Sequence, residues 1–129
     1  MHTIILVILA GIFNSIMDTL QFHYSESIFK SDKFKLKFWY PNISWKNKYK
    51  DLNPDKGPKF FGSTTFLVAF TDAWHLFKLL FLFLLFFTIV TYHPIINYYP
   101  PFNIIFDFIL LRALFGATFE GIFRLLKRK

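Results

Sequence analysis

Three long apolar runs dominate the pattern of hydrophobic and polar positions along the chain. They lie at residues 3–22, within residues 62–92, and at residues 102–126. A helix needs about 20 mostly apolar residues to cross the hydrocarbon core of a bilayer, and each run is long enough. We therefore predict an all-α fold, a three-helix transmembrane bundle that forms a single membrane domain over residues 1–129.

The segments between the runs carry turn signals. Pro100 and Pro101 stand directly before the third run, and proline cannot continue a helix interior. The second run follows "DLNPDKGPKFFGSTT", in which Ser63 or Thr64 is a suitable N-cap for the second helix. The sequence leaves open whether this helix is one long rod or breaks within residues 62–71.

Basic residues are distributed unevenly between the segments that flank the runs. Residues 23–59 contain nine lysines against four acids, and the tail after Glu120 contains four further Lys or Arg residues. By contrast, residues 92–101 contain neither Lys nor Arg. In multi-pass proteins the excess of Lys and Arg lies in the cytoplasmic segments. The expected orientation is N-terminus out and C-terminus in, with a basic aromatic cytoplasmic loop at about residues 23–60.

Composition supports the membrane assignment and excludes several chemistries. Twenty of the 129 residues are Phe, more than a soluble core of this size could bury. The absence of cysteine excludes disulfides, thiolate metal sites and a cysteine nucleophile. The net charge is +7, but no nucleic-acid-binding module is recognisable, so we expect the lipid bilayer and not nucleic acid as a partner. The Lys/Asn/Ile/Phe bias is typical of an AT-rich bacterial or phage genome, and we expect a bacterial inner (cytoplasmic) membrane.

The loop contains a segment in which lysines alternate with apolar residues. In "KSDKFKLKFWYP" the alternation has period two, which predicts an extended segment with its lysines on one face. Such a segment could rest on the headgroup layer, where tryptophans are also typical. The residues predicted to contact lipid headgroups are Lys33, Lys35, Lys37, Trp39 and Trp45. The alternative is a solvated basic loop that only obeys the topology rule.

Polar residues of all three predicted helices fall at one depth, near the cytoplasmic leaflet. A charge inside the bilayer costs about 2.5–3.5 kcal/mol on insertion scales, so these groups should face protein and pair with one another. We expect Arg112 to pair with Glu120, and Lys78 to pair with Asp18 or Glu120. The predicted polar cluster consists of Asn14, Asp18, Gln21, Asp72, His75, Lys78, Arg112 and Glu120. Only Asp107, near the outer end of the third helix, falls outside it.

A line of small residues marks one face of the third helix. Ala113, Ala117 and Gly121 are spaced four residues apart, so they lie one above another on a helix. Small residues at this spacing let two membrane helices approach closely. The sequence therefore predicts that this face packs against another helix.

Three roles for the polar cluster remain open. It could be structural, fixing how the helices dock through buried hydrogen bonds and ion pairs. It could be a conduit, with its acids and His75 as proton or ion stations in an oligomer. It could hold a divalent metal, because Asp72 and His75 have the i, i+3 spacing of carboxylate and histidine ligands in helical bundles. The candidate ligands for Zn, Mn or Fe are Asp72, His75, Asp18, Glu120 and His23.

These roles correspond to three functions. The leading expectation is a binding or assembly component, either self-associating or accessory to a larger membrane complex. The alternative is a membrane-embedded metal-dependent hydrolase that acts on a lipid-borne substrate, and the third is an oligomeric proton or ion conduit. The sequence contains no G-x-S-x-G, H-E-x-x-H or P-loop motif. No catalytic residue is therefore assigned, and enzyme activity is not the leading expectation.

Three phrases of the chain resemble small bacterial integral membrane proteins that have no assigned function. These phrases are "MDTLQFHY" at residues 17–24, "ISWKNKYKD" at residues 43–51 and "TDAWHLFK" at residues 71–78. The resemblance implies a small membrane protein and carries no functional assignment.

Overall fold

The chain forms a helical bundle, and the computed structural model describes residues 2–96 and 99–128 of it. The α-helices are α1 (His2–Phe22), α2 (Leu36–Trp39), α3 (Pro41–Ser44), α4 (Ala73–Val90) and α5 (Phe102–Leu126). Short 3-10 turns connect α1 to α4, and the described residues contain only isolated β-bridges and no strand. Three helices, α1, α4 and α5, are long and apolar enough to cross a membrane. This confirms the predicted all-α fold with three transmembrane helices, whereas the orientation stays a prediction.

The central helix of the bundle is α1, which packs against both α4 and α5. In its most apolar window 44% of the residues are buried, against 11% in α4 and in α5. A Cβ added at Gly11 would lie 3.0 Å from the carbonyl oxygen of Phe115 and 3.2 Å from Cβ of Thr118. Gly11 therefore allows α5 to approach α1 closely, as small residues do in membrane helix pairs.

The small residues that join the helices lie on α1 and not on the predicted face of α5. Ser15 and Thr19 follow Gly11 at four-residue spacing and are fully buried, and Thr19 Oγ1 donates to the carbonyl oxygen of Ser15 at 2.8 Å. By contrast, the face of α5 predicted to pack against another helix is exposed. Its residues are Ala113, Ala117 and Gly121. The three small residues do lie on one face of α5, as the helix period predicts, but α5 packs against α1 with a different face.

The second spanning helix begins later than its apolar run. Asp72 is the N-cap of α4: its backbone is extended, and its Oδ1 accepts a hydrogen bond from the backbone N–H of His75 at 3.0 Å. Residues 60–71 form turns and one 3-10 turn, so the predicted start near residue 62 is wrong for the helix. The predicted caps, Ser63 and Thr64, are wrong too, since Ser63 Oγ donates instead to the carbonyl oxygen of Lys48 at 2.7 Å. The second helix is therefore not a rod that starts at Gly62.

One end of the bundle, where α1 and α5 end and α4 begins, carries the long loop, and we call it the loop end. There Leu20, Ala73 and Leu126 belong to one hydrophobic cluster. α4 has 18 residues, which at about 1.5 Å per residue gives about 27 Å, close to the roughly 30 Å of a bilayer core. A helix of this length that crosses a bilayer has both ends near the boundaries of the hydrocarbon, so we expect the first turn of α4 at the headgroup level.

The first half of the long loop folds over the loop end as an aromatic cap, which we define as residues 24–49. Phe29 is 4% exposed, and its ring stacks on Trp39 with 4.9 Å between centroids. Tyr24 stacks on Tyr40 at 4.5 Å. The backbone N–H of Arg128, after α5, donates to the carbonyl oxygen of Glu26 at 2.7 Å, which ties the end of the chain to the cap. The loop is thus a packed part of the fold.

The aromatic cap corrects the extended segment predicted around the lysines. Leu36–Trp39 is a helical turn, and Trp39 packs on the ring of Phe29 and against the buried cluster. Lys33, Lys35 and Lys37 are nevertheless all exposed. The exposure of the lysines therefore agrees with the prediction, but the extended backbone on which the prediction was based is absent.

Candidate functional site

A hydrogen-bonded Asp–His pair opens α4 at the loop end. Asp72 Oδ2 lies 2.7 Å from Nδ1 of His75 and accepts a hydrogen bond from Thr71 Oγ1 at 3.1 Å. Its other oxygen, Oδ1, caps the helix through the N–H of His75. The Asp72 side chain is 2% exposed and the His75 side chain is 24% exposed. In the described part of the chain, all the hydrogen bonds of this carboxylate are therefore made within residues 71–75.

The pair fixes which imidazole nitrogen is free to bind a ligand. With Asp72 ionised, Nδ1 of His75 carries the proton between them, because a carboxylate only accepts hydrogen bonds. In neutral imidazole the other nitrogen, Nε2, is then an acceptor. The contacts of His75 in the described part of the chain include no hydrogen bond to Nε2. In this tautomer His75 presents Nε2 as an oriented acceptor at the start of α4.

The aromatic cap positions this pair through Asn47. Asn47 Nδ2 donates to the carbonyl oxygen of Thr71 at 2.8 Å and also to the carbonyl oxygen of Lys37. One side chain therefore joins the cap to the residue that precedes Asp72. An amide is suited to this task because its NH2 group has two donors. The phrase "SWKN" contributes to the site in this way and through Ser44 and Trp45, which line the cavity described next.

An open cavity of about 410 Å³ lies beside the Asp–His pair, where α1, α3 and α4 meet. Pro41 forms part of its wall together with polar and aromatic side chains. These side chains are Gln21, Asn42, Ser44, Trp45, Asp72, Trp74 and His75. Amide, hydroxyl and imidazole groups beside two indole rings suit a ligand that combines polar groups with an apolar body. We call this space the His75 cavity.

A second open cavity of about 410 Å³ extends along α1 from the His75 cavity. It is lined by Asn14, Asp18 and Gln21 on one side and by Trp74 on the other. Gln21 and Trp74 line both spaces. The three polar residues that the sequence places on one face of α1 therefore border one groove, which adjoins the His75 cavity at Gln21 and Trp74.

The other members of the predicted polar cluster are elsewhere. Lys78 turns back toward the start of α4, with its ammonium 4.9 Å from the ring centroid of Trp74. Glu120 pairs with Arg124 at 2.7 Å on an exposed face of α5. Arg112 is exposed, with one guanidinium nitrogen 3.1 Å from the Cβ position of Gly116. The predicted pairs of Arg112 with Glu120, and of Lys78 with Asp18 or Glu120, are absent from the ion pairs of the described residues.

The candidate metal ligands do not form one site. The described part of the chain contains no group of three or more His, Asp or Glu side chains that could hold a metal ion. Asp72 Oδ2 and His75 Nδ1 are hydrogen-bonded to each other. The ring of His23 packs against Phe123 with 5.0 Å between centroids. A structural or catalytic zinc needs three or four protein ligands. His75 Nε2 alone is too few, so these residues do not fit the predicted metal centre.

The residues predicted to contact lipid headgroups have different environments. Trp39 lies inside the aromatic cap, where it also contacts Phe34 at 4.9 Å. Trp45 is 40% exposed and carries the ammonium of Lys46 at 5.6 Å over its ring. Together with the three exposed lysines, Trp45 remains suited to the headgroup layer. Trp39 is instead a packing residue.

Asp107 lies at the opposite end of the bundle from the loop end, and its role was not predicted from the sequence. Asp107 is 1% exposed and accepts hydrogen bonds from Tyr92 Oη at 2.7 Å and from the backbone N–H groups of Ile95 and Ile96 at 2.7 and 3.1 Å. The hydrogen bond to Asp107 raises the pKa of Tyr92 above its usual value. These donors lie in the loop between α4 and α5, and no sequence pattern predicts that they contact Asp107. Asp107 fixes the α4–α5 connection.

No protein-family model, curated protein or solved structure matches this chain. Its function is therefore argued from the chemistry of the His75 cavity.

Proposed function

We propose that this protein is a small integral membrane component that binds a lipid headgroup in the His75 cavity. The observation that carries the proposal is the Asp72–His75 pair, which orients an acceptor nitrogen beside a cavity of about 410 Å³. Binding sites commonly combine a few fixed polar groups with apolar walls. The pair, the amides of Gln21 and Asn42, and the indole rings match that description.

The depth of the cavity favours a ligand that belongs to a lipid. The first turn of α4 lies at the boundary of the hydrocarbon, since α4 is only about as long as the bilayer core is thick. The groove lined by Asn14 and Asp18 continues from the cavity along α1. A headgroup that offers hydroxyl or protonated amine donors could bond His75 Nε2 while its glycerol region follows the groove. A protonated amine would also meet the carboxylate of Asp18.

The test is retention of lipid by the purified protein. We would reconstitute the protein with phosphatidylethanolamine, phosphatidylglycerol and phosphatidylcholine, extract it in mild detergent, and count bound lipids by native mass spectrometry. The variants are His75→Ala and, as a matched control at the opposite end, His93→Ala. We expect His75→Ala to weaken retention of one headgroup class by about tenfold, the effect of losing about 1.4 kcal/mol. Equal retention by wild type and both variants would refute the proposal.

The metal-dependent hydrolase has weaker support, because only the spacing of Asp72 and His75 favours it. Elemental analysis of wild-type protein beside the Asp72→Asn/His75→Ala double variant would decide the matter. Stoichiometric Zn, Mn or Fe that is lost in the variant would reinstate that function. The same metal content in both proteins would leave headgroup binding as the reading to pursue.

We also propose that the loop end faces the cytoplasm of a bacterial cell, with the N-terminus outside. The nine lysines of residues 23–59 support this, as does the basic tail. Because the chain has no cysteine, single cysteines can report the orientation directly. Lys33→Cys and His93→Cys should react differently with an impermeant thiol reagent on intact cells. Labelling at residue 33 before lysis would reverse the proposed orientation.

A further inference from the structure

A run of exposed phenylalanines precedes α4, and we call residues 60–70 the phenylalanine segment. Phe61 is 85% exposed, Phe66 65% and Phe70 67%, although these residues are not part of a spanning helix. Scattered exposed apolar residues are ordinary on proteins, but three large ones within ten residues form a patch that needs a partner. Neither the spanning helices nor the His75 cavity accounts for this patch.

The phenylalanine segment has a defined shape. Gly62 adopts a positive φ of 78°, and its carbonyl oxygen accepts hydrogen bonds from the N–H groups of Thr65 and Leu67 at 3.0 and 2.9 Å. The rings of Phe61 and Phe66 meet edge to face at 5.7 Å. The N–H groups of Ser63, Thr65 and Leu67 are bonded within the segment, which lowers the number of backbone groups that would lack a partner near the hydrocarbon. The turn therefore holds the rings outward on a folded platform.

A basic hairpin supports this platform. The N–H of Lys59 donates to the carbonyl oxygen of Lys48 at 2.8 Å, and the N–H of Lys50 donates to that of Gly57 at 3.1 Å. Ser63 Oγ bonds the same Lys48 carbonyl, which joins the hairpin to the phenylalanine segment. Residues 46–59 contain five lysines and two aspartates, a net charge of +3. Apolar rings beside a basic surface are typical of proteins that lie on anionic membranes.

The position of the segment along the chain sets its depth. Phe70 precedes the N-cap Asp72 by two residues, and α4 begins at the boundary of the hydrocarbon. The phenylalanine segment therefore starts from the headgroup level, where its rings can reach acyl chains and the lysines of the hairpin can reach phosphates. Insertion of this segment requires no ligand in the His75 cavity.

We propose that residues 60–70 insert into the interface of an anionic lipid leaflet, with the phenylalanine rings among the acyl chains and the basic hairpin on the headgroups. The partner is the lipid surface itself. This anchor fixes the height of the loop end, since Ser63 ties the segment to the hairpin and Asn47 ties the neighbouring cap to Thr71.

The experiment uses nitroxide labels on single cysteines at Phe61, Phe66 and, as the water-exposed control, Asp55 at the tip of the hairpin. The full-length protein is reconstituted in phosphatidylcholine with or without phosphatidylglycerol. Depth is read by power saturation with oxygen, which concentrates in acyl chains, and with a nickel chelate, which stays in water. In the anionic membrane we expect labels at 61 and 66 about 5–10 Å below the headgroups, the depth of interfacial segments, and the label at 55 in water.

Two results would overturn the proposal. In the first, labels at residues 61 and 66 are as accessible to the nickel chelate as the label at 55 while circular dichroism shows an intact helix content. In the second, the depth is the same without phosphatidylglycerol, which would remove the anionic lipid from the proposal. The Lys50→Gln/Lys59→Gln variant gives an independent measurement, because it should reduce the depth in anionic membranes to that in neutral ones.

Discussion

Asp72 has two structural roles, capping of α4 and orientation of the His75 imidazole, and two substitutions separate them. Asp72→Ala removes both. Loss of an N-cap side chain costs about 1 kcal/mol. The change also leaves Nδ1 of His75 without its acceptor, and a buried unpaired group costs about 1–3 kcal/mol. The hydroxyl of Thr71 keeps the carbonyl oxygen of Val68 at 2.7 Å as its acceptor. His75 is partly exposed and can recover some of the cost from water, so we expect a total loss of about 2–3 kcal/mol in the free energy of unfolding.

Asp72→Asn keeps the cap and changes only the imidazole. The amide oxygen of Asn can still accept from the N–H of His75, and Asn caps helices as well as Asp does. Its NH2 group then faces Nδ1, which must become an acceptor, so the proton moves to Nε2. We expect a loss of less than about 1 kcal/mol in stability for this variant, together with the opposite tautomer of His75.

Two measurements check this pair of variants. Thermal unfolding followed by circular dichroism in one detergent gives the order wild type, Asn, then Ala in decreasing stability. Nitrogen-15 NMR of the imidazole reports which nitrogen carries the proton. Two results would contradict these roles of Asp72: an Asn variant as unstable as the Ala variant, or a proton on Nδ1 in both the wild type and the Asn variant.

Three further changes probe other parts of the bundle. Gly11→Val should destabilise the protein by about 1–3 kcal/mol because a backbone oxygen of α5 lies 3.0 Å from the new Cβ, whereas Gly121→Val, with nothing within 4 Å, should leave thermal unfolding nearly unchanged. Asn47→Ala should speed tryptic cleavage within residues 23–59 while the spanning helices stay intact; unchanged cleavage would show that the amide does not hold the cap. The pKa of Tyr92 is raised by its hydrogen bond to Asp107, so the stabilisation from this bond is complete below the ordinary tyrosine pKa of about 10 and is lost as the pH rises through the folded value. Ultraviolet titration should show the loss of one raised tyrosine transition in Tyr92→Phe, while the raised transition of the buried Tyr24 remains.

The spanning helices could be predicted because a bilayer imposes a simple requirement of length and apolarity. The start of α4 could not, because residues 60–71 are as apolar as a helix end but contain a turn at Gly62 with positive φ. The spacing of Asp72 and His75 has two physical explanations, metal ligation and N-capping, and sequence alone does not separate them. In the structure the cap and the side-chain hydrogen bond account for this spacing.

The sequence predicts which polar residues share a helix face, but it does not predict which residues on other helices they contact. Helix period places Asn14, Asp18 and Gln21 together, and they do border one cavity. The rotation of α5 about its own axis is set by Gly11 and Thr118 across the interface, so its small residues gave no indication of which face would be inside. Asp107 was set apart by its depth, but its loop donors are contacts that only the folded chain brings together.

The central place of α1 has a consequence for how the protein is made. α1 is synthesised before its helix partners α4 and α5, which lie at residues 73–90 and 102–126 and follow the long loop. Until they arrive, the face that carries Ser15 and Thr19 has no protein to cover it. The nascent chain therefore depends on a protected site in the insertion machinery, or on rapid insertion of α4, to keep α1 from pairing with another protein. A translational pause within residues 23–72 should therefore increase degradation or mispairing of α1, even though the completed bundle is stable.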